Sequence, residues 1–419
     1  MDSNLSVKTE VGYRITALEL LISTSLFIEF DILFLMIVEV TAVPFSVRNA
    51  GGGERFPTEF YKELKKYEEA MFCYSSNEGQ LIDNTSVLIP GNFYKFRNII
   101  TEVNPIPTLD TIKTIKNFLN DYENEIEFLH IHNLRTAIST VWLLLLLKRK
   151  PKHLKIILTD HNAKFFPFPK LTIRPVDYYA PVSTVSNKIL QEISKRPSFI
   201  LPTFVSPSFQ EKFYQLDFIQ RDIDLLFLGR IVPWKGIDKV IQIGEKLIRK
   251  RDGAIKIVIA GRATDQNYLS HLKRLVSTKH LEGKIDFDLD PTDDEIISLY
   301  ARAKVHILFS VTKDIYGRHY NYPELNPTTI AESSMCRTPS IVSTAPGLKE
   351  QIVDGHNGYI IPENDLELAT NKILFLIDDK DDWKLMSQNA YESAIRTRTL
   401  DSIVRKFIFN LDKIRSGEL

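Results

Sequence analysis

Ile223-Asp-Leu-Leu-Phe-Leu-Gly-Arg-Ile-Val-Pro-Trp-Lys-Gly236 opens as a six-residue, mostly apolar run and stops at a glycine. The run Ile223–Leu228 has the length and apolar character of a strand covered on both faces. A helical pattern then extends to about Lys250. Strand, glycine loop and helix together form the repeating unit of a parallel α/β sheet. In such sheets ligands sit beyond the carboxyl ends of the strands. Arg230 and Lys235 flank this loop, and Gly229 and Gly236 bracket it. Arginine offers phosphate oxygens a two-pronged fork and lysine a compact charge. Solvated surface cations are the plainer alternative, and the position at a strand's end weighs against it.

Downstream the same unit recurs. Ile255–Ala260 reads as a strand ending at Gly261-Arg262, followed by a helix over about 266–278. Lys284–Phe287 and Val305–Phe309 read as strands separated by a helix at Asp293–Ala301. A long polar loop, Ser310–Pro323, leads into Glu324-Leu-Asn-Pro-Thr-Thr-Ile-Ala-Glu332. Asn326 suits an N-cap and Pro327 the first helical position. Thr328 and Thr329 then offer backbone N–H groups at the positive end of a helix, where phosphate binds readily. Glu324 before that end and Glu332 within the helix could take sugar hydroxyls. A capped helix with two solvated glutamates is the ordinary alternative. Ser340–Ser343 is a further strand, Asp354–Gly358 a turn, and Leu366–Ile377, Trp383–Arg396 and Asp401–Ile414 are helices.

Upstream, Ile37–Val43 reads as a buried strand, Gly51–Gly53 as a loop, and about 57–70 as a helix. Gly52 and Gly53 are candidates to let the backbone approach an anion. Strands at Ala70–Tyr74, Phe128–His132, Leu154–Thr159 and Tyr179–Ser183 alternate with helices at Leu134–Leu147 and at Ser186–Ile193, the latter capped by Ser186. Residues 196–222, with three prolines, read as an irregular linker. His130, His132 and His161 fall at or near the carboxyl ends of strands. His130-x-His132 also has the spacing of a metal pair, but no third ligand accompanies it. Two alternations imply two doubly wound parallel-sheet domains. The division runs as an extension at 1–35, domains at 36–205 and 206–395, and a closing helix at 396–419.

Ala17–Phe45 is strongly apolar, yet Glu19, Glu29, Asp31 and Glu39 interrupt it, which argues against a membrane span. A signal peptide fits poorly, since neither a basic leader nor a clear cleavage site is present. Residues 1–30 therefore read as an extra helix, or as untranslated sequence ahead of a start at Met36. The chain has 53 basic and 53 acidic residues, a balance that argues against a nucleic-acid partner. Cys73 and Cys336 suggest neither a disulfide framework nor a zinc site, and a reducing cytoplasm fits. Val141–Leu147 followed by Lys148-Arg-Lys150-Pro-Lys152 could rest on an anionic membrane. A core helix with a solvated basic tip is the favoured alternative.

From about Met36 to Ala390 the chain resembles the retaining GT-B glycosyltransferases of family four. The resemblance rests on an ordered set: Gly229-Arg230 with Lys235-Gly236, Ala260-Gly261, Glu324 and Glu332 at E-x7-E spacing, Pro339–Ser343, and Glu350-Gln-Ile-Val-Asp-Gly-His-Asn-Gly358. The N-terminal half adds the glycine loop, His130-x-His132 and His161. This resemblance implies two Rossmann-like domains facing a cleft, with a nucleotide-diphosphate-sugar donor held mainly by the C-terminal one. By position, Arg230 and Lys235 are implied to bind the diphosphate, Glu332 the ribose and Glu324 the transferred sugar. Gly52, Gly53, Gly229, Gly261, Asn326, Thr328 and Thr329 complete the implied donor site, with His161 reaching the sugar. A glycan or lipid-linked acceptor is implied and no metal. Asn326-Pro327 stands where the family usually has Phe-Gly, the loop before Glu324 is long, and Asp288 replaces a common glycine. A sugar-nucleotide epimerase, a phosphorylase, a metal-dependent transferase using Asp222-x-Asp224 or Asp286-x-Asp288, and a non-catalytic sugar-nucleotide binder remain the alternatives on this architecture.

Overall fold

The computed structural model describes residues 36–41, 52–74, 86–88, 124–132, 150–161, 173–214 and 220–419, with isolated positions 117, 120, 122 and 170. Residues 36–419 form one compact unit built on two six-stranded sheets. The first holds β1 (Met36–Thr41), β2 (Ala70–Tyr74), β3 (Ser86–Leu88), β4 (Ile126–His132), β5 (Lys155–Thr159) and β6 (Tyr178–Tyr179). The second holds β7 (Ile223–Leu228), β8 (Ile257–Gly261), β9 (Ile285–Leu289), β10 (Ala303–Leu308), β11 (Ser340–Ser343) and β12 (Gly358–Ile361). The strands lie in the orders β3-β2-β1-β4-β5-β6 and β12-β11-β10-β7-β8-β9, every neighbour parallel. Counted within each half, both orders are the doubly wound 3-2-1-4-5-6. The strand order reverses at β1/β4 and at β7/β10, and those two edges are where this architecture opens a crevice.

Among the described residues the helices are α1 (Gly52–Leu64), α2 (Thr184–Ile193), α3 (Pro207–Tyr214), α4 (Ile237–Lys250), α5 (Gln266–Thr278), α6 (Asp293–Arg302), α7 (Thr328–Met335), α8 (Leu366–Asp378), α9 (Lys380–Arg398) and α10 (Leu400–Ser416). Every residue of β7 is buried, as a strand covered on both faces requires. Phe227, Ile259 and Ile307 from the sheet pack with Ile241 of α4, Leu272 of α5 and Ile373 of α8 in one core cluster. The closing helix belongs to the other half's core. Leu400, Ile403, Val404, Phe407, Leu411 and Ile414 follow helical spacing and pack with Phe56, Phe60 and Tyr61 of α1. Each such side chain contributes about 1.5–3 kcal/mol by leaving water.

Several boundaries differ from the sequence reading. Gly52 and Gly53 lie in the first turn of α1, not in a loop ahead of it, and Pro57 sits inside the helix. α2 starts two residues early because Ser183, not Ser186, is its cap. Ser183 accepts from the Ser186 N–H, and the Ser186 hydroxyl accepts from the Ser183 N–H, a reciprocal capping box. The proline-rich linker contains α3, whose Pro207 takes the first helical position, where a missing N–H costs nothing. β12 follows the Asp354–Gly358 turn, and β3 lies beyond β2; neither was expected from the sequence. The expected helix at 134–147, with its basic tip from Lys148 to Arg149, and residues 1–35 lie outside the described residues. Among the described residues no helix is long and apolar enough to cross a membrane.

Among the described residues the two carboxyl edges meet at Glu350. Glu350 follows β11, and its carboxylate accepts from Thr184 N at 2.8 Å, Thr184 Oγ1 at 2.6 Å and Val185 N at 3.0 Å. Those donors open α2, just beyond β6. An anion at a helix N-terminus is favoured, so Glu350 joins the second half to the first at the ends where ligands bind.

Candidate functional site

The loop after β7 is shaped by close backbone crossings. Gly261 has φ +134, and a Cβ there would lie 2.0 Å from the Gly229 carbonyl oxygen. Only glycine lets the ends of β7 and β8 pass this closely. Gly229 N then donates to Ala260 O at 3.1 Å, and Ile231 N to Arg262 O at 2.8 Å. Gly236, at φ +63, presses against β10 in the same way, since a Cβ would meet the Phe309 carbonyl oxygen at 2.2 Å. Val311 N donates to Trp234 O at 2.8 Å. These contacts draw the β7 loop against the β10 loop at the switch point.

Lys235 and Glu324 meet there. Lys235 Nζ stands 2.5 Å from Glu324 Oε1, and both side chains are more than nine-tenths buried. Ser310 Oγ donates to the same carboxylate at 2.8 Å. A buried charge of this kind needs a partner and hydrogen bonds to persist. Arg230 projects from the same loop into solvent, its guanidinium 5.6 Å from the Trp234 ring centroid. Arg230 makes no salt bridge among the described residues, which leaves its fork open to an anion.

α7 begins four residues after Glu324. Its cap position is Pro327, which supplies no side-chain hydrogen bond, and Thr328 and Thr329 are its first residues. The sequence reading placed Asn326 at the cap and Pro327 one position inside; both are corrected by one residue. Asn326 is otherwise engaged. Its Oδ1 accepts from Thr203 Oγ1 at 2.6 Å, Thr203 N at 3.2 Å and Arg398 at 2.8 Å. It is a joint between the linker, α9 and the Glu324 loop. The helix tip keeps its N–H groups free of side-chain caps, and the buried Thr329 hydroxyl has no hydrogen-bond partner. Glu332, one turn into α7, accepts from Tyr300 Oη at 3.2 Å.

The first sheet brings together a buried histidine cluster at its own switch point. Glu39 of β1 contacts His130 Nδ1 at 2.8 Å and His132 Nε2 at 2.6 Å, both on β4. His130 Nε2 lies 2.8 Å from Thr159 Oγ1, which donates its single hydrogen to Ala180 O. His130 Nε2 therefore donates. Burial pushes the Glu39 carboxyl up, but His130 and then His132 outweigh it and hold it at about 2. Glu39 is the third donor that the His130-x-His132 pair lacked in sequence, and the three donor atoms lie within 4.8 Å of one another. Ligands on a tetrahedral zinc at about 2.0–2.1 Å stand about 3.3 Å apart. The contacts of 2.6–2.8 Å are those of shared protons instead.

His161, just beyond β5, stacks on His132 with centroids 5.9 Å apart and meets the Phe56 ring at a tilt, 4.8 Å away. Burial, then the charge of neighbouring histidines, lowers His161 to about 3 and His132 to about 4. Both rings are neutral at physiological pH. The unfolded chain takes up their protons first as pH falls, so the stability they contribute is complete above pH 6.5. It is lost progressively from pH 6.5 toward 4 for His132 and toward 3 for His161. Glu39 adds a further loss from its ordinary 4.5 down to about 2. The melting temperature should thus fall steadily below pH 6.5, with a shallower slope in His161→Asn. A melting temperature of the natural protein that stays level from pH 6.5 to 4 would contradict this account.

Against known proteins, residues 208–393 match the family of glycosyl transferases group 1. The chain is a glycosyltransferase. An uncharacterised glycosyltransferase of Methanocaldococcus jannaschii is 23% identical over 314 residues, covering 68% of this chain and 75% of that one. The trehalose synthase of Thermococcus litoralis is 25% identical over 169 residues, and the match spans 38% of that enzyme. Among solved structures, sucrose-phosphate synthase from Thermosynechococcus elongatus superposes with a TM-score of 0.67 at 14% identity, over 91% of this chain and all of that one. HepE of Anabaena, in complex with UDP-glucose, superposes with a TM-score of 0.64 at 15% identity, over 90% of this chain and all of that one. The architecture is GT-B: two parallel-sheet α/β domains.

In this glycosyltransferase the structure gathers Gly229, Arg230, Lys235, Gly261, Glu324, Thr328, Thr329 and Glu332 on the loops and helix of one switch point. Gly52, Gly53 and His161 belong to the other half. Three residues escaped the sequence reading. Ser310 reads as part of a polar loop and Glu39 as an interruption of an apolar run, while Gly347 simply follows a strand. A Cβ on Gly347 would meet the Glu324 carbonyl oxygen at 2.2 Å, so Gly347 backs that glutamate. Asp222 and Asp224 are both engaged by cationic side chains. Asp222 pairs with Arg302 at 2.7 Å and Lys256 at 3.1 Å, and Asp224 with Lys304 at 2.7 Å, at the amino ends of the strands.

Proposed function

We propose that this glycosyltransferase is a retaining enzyme of family four that moves a sugar from a nucleotide-diphosphate donor to a glycan or lipid-linked acceptor. The single observation that carries the reading is the Lys235–Glu324 contact at 2.5 Å, beside Arg230 and the side-chain-uncapped tip of α7. Positive charge and helix N–H groups converge where a diphosphate leaving group develops its negative charge, the main catalytic device expected for such chemistry. Arg230 and Lys235 hold the diphosphate, with Gly229 and Gly261 giving the backbone close approach. Thr328 and Thr329 present their N–H groups to it. Glu332 takes the ribose hydroxyls and Glu324 the sugar undergoing transfer. A neutral His161 suits hydrogen bonding to a sugar hydroxyl, not delivery of a proton. A UDP-sugar is the favoured donor, because HepE is similar in fold and is seen with UDP-glucose.

In this reading the anomeric carbon–oxygen bond to phosphate breaks as the acceptor oxygen bonds to the same face of that carbon. The acceptor's proton passes to the departing phosphate oxygen, so no protein nucleophile is needed. The cations supply the charge that a metal supplies elsewhere, and turnover is expected to persist in EDTA. The reading includes a cytoplasmic enzyme. The test incubates the protein with UDP-, GDP- and ADP-glucose and follows nucleotide release and the first-formed anomer by NMR. One nucleotide class should be consumed with an α-configured product. A β-configured first product would overturn retention.

A further inference from the structure

A cavity of about 440 Å³ opens where α7, α9 and α10 meet, a volume typical of small-ligand sites. It lies against Ile330, Ala331 and Ser334, on the face of α7 nearly opposite Glu332. Arg396, Arg398 and Lys406 line it, and Glu350 is its sole carboxylate. Both oxygens of Glu350 are already committed to the first turn of α2. None of the three cations forms a salt bridge among the described residues. Two positive charges are therefore in excess in a partly enclosed space.

Arg398 is more than nine-tenths buried, while Arg396 and Lys406 stand exposed at the mouth. Burial lowers the Arg398 guanidinium to about 10, with Glu350 opposing. Burial and then Arg398 lower the Lys406 ammonium. Cations held in this way gain from an incoming anion. The rest of the lining is mixed, with the hydroxyls of Ser334, Ser393 and Ser402 set among Ala331, Val353 and Ile403.

We propose that this cavity binds a small soluble phosphate ester, with the phosphate among Arg396, Arg398 and Lys406 and the polar body against the serines. Arg398 also donates to Asn326, two residues from Glu324, at 2.8 Å. An occupant would steady the arm that carries the first carboxylate, on a site separate from the donor's.

Calorimetry with glucose 6-phosphate tests this on the natural protein, on Arg396→Gln/Lys406→Gln and on Arg230→Ala, each checked for folding by thermal melt. Binding should be equal in the natural protein and Arg230→Ala, and weaker by about tenfold or more in the double variant. Absence of binding to the natural protein would overturn the proposal. So would binding lost in Arg230→Ala but kept in the double variant, which would put the ester on the diphosphate site. Retention on phosphatidic-acid vesicles without any response to glucose 6-phosphate would overturn the assignment to a soluble ester.

Discussion

Lys235→Ala should lower donor turnover by about 100- to 1000-fold, the effect of removing one preorganised charge from a developing anion, on the order of 2.7–4 kcal/mol. The same change leaves Glu324 buried without its partner at 2.5 Å. Breaking a buried pair from one side costs about 3–5 kcal/mol of stability, so the denaturant midpoint should drop as well. Lys235→Met/Glu324→Gln separates the two effects. Removing both charges should recover much of the lost stability, while turnover stays at the low level of the single variant. Chemical melts and nucleotide release, measured on the same preparations, check both halves. A fully active Lys235→Ala would show that the pair only supports the fold.

Gly261→Ala should be severe although it adds one methyl group. At φ +134 a side chain is strained, and the new Cβ would overlap the Gly229 carbonyl oxygen at 2.0 Å. Neither neighbour is a flexible side-chain end, so the backbone of the β7 loop has to move. Strain and overlap of this kind together cost about 2–4 kcal/mol. The loop displaced is the one that carries Arg230 and Lys235, so nucleotide affinity should fall along with stability. Gly283→Ala is the control: that glycine also has positive φ, but nothing lies within 4 Å of its added Cβ. It should be milder in stability and neutral in nucleotide affinity. Equal losses in the two variants would contradict the close-crossing argument.

The architecture was legible because its signals are local. An apolar run, a glycine and a helical period within thirty residues define each unit, and both halves repeat it. Lys235 was legible from the loop after β7, and Glu324 from the helix start that follows it. Their contact was not, since it depends on Gly236 pressing α4 against β10. Asn326 misled for a related reason. The residue type suits a cap, but its partners Thr203 and Arg398 lie 123 and 72 positions away, and that distant demand won over the local one. Glu39 reads as a flaw in a strand until His130 and His132, 91 and 93 positions on, meet it. The early start of α1 at Gly52 was hidden because three glycines favour a loop by intrinsic propensity, and packing of Phe56 and Phe60 overrides it.

In the proposed site Arg230, Lys235 and the tip of α7 surround one diphosphate, with Glu324 at the sugar. Calorimetric titration of UDP into the natural protein and Arg230→Ala tests it most directly, because Arg230 is exposed and its removal leaves the core intact. Loss of a two-pronged charged contact predicts affinity at least about tenfold weaker in Arg230→Ala, with unchanged melting in the absence of nucleotide. UDP binding of equal strength in both proteins would place the diphosphate elsewhere.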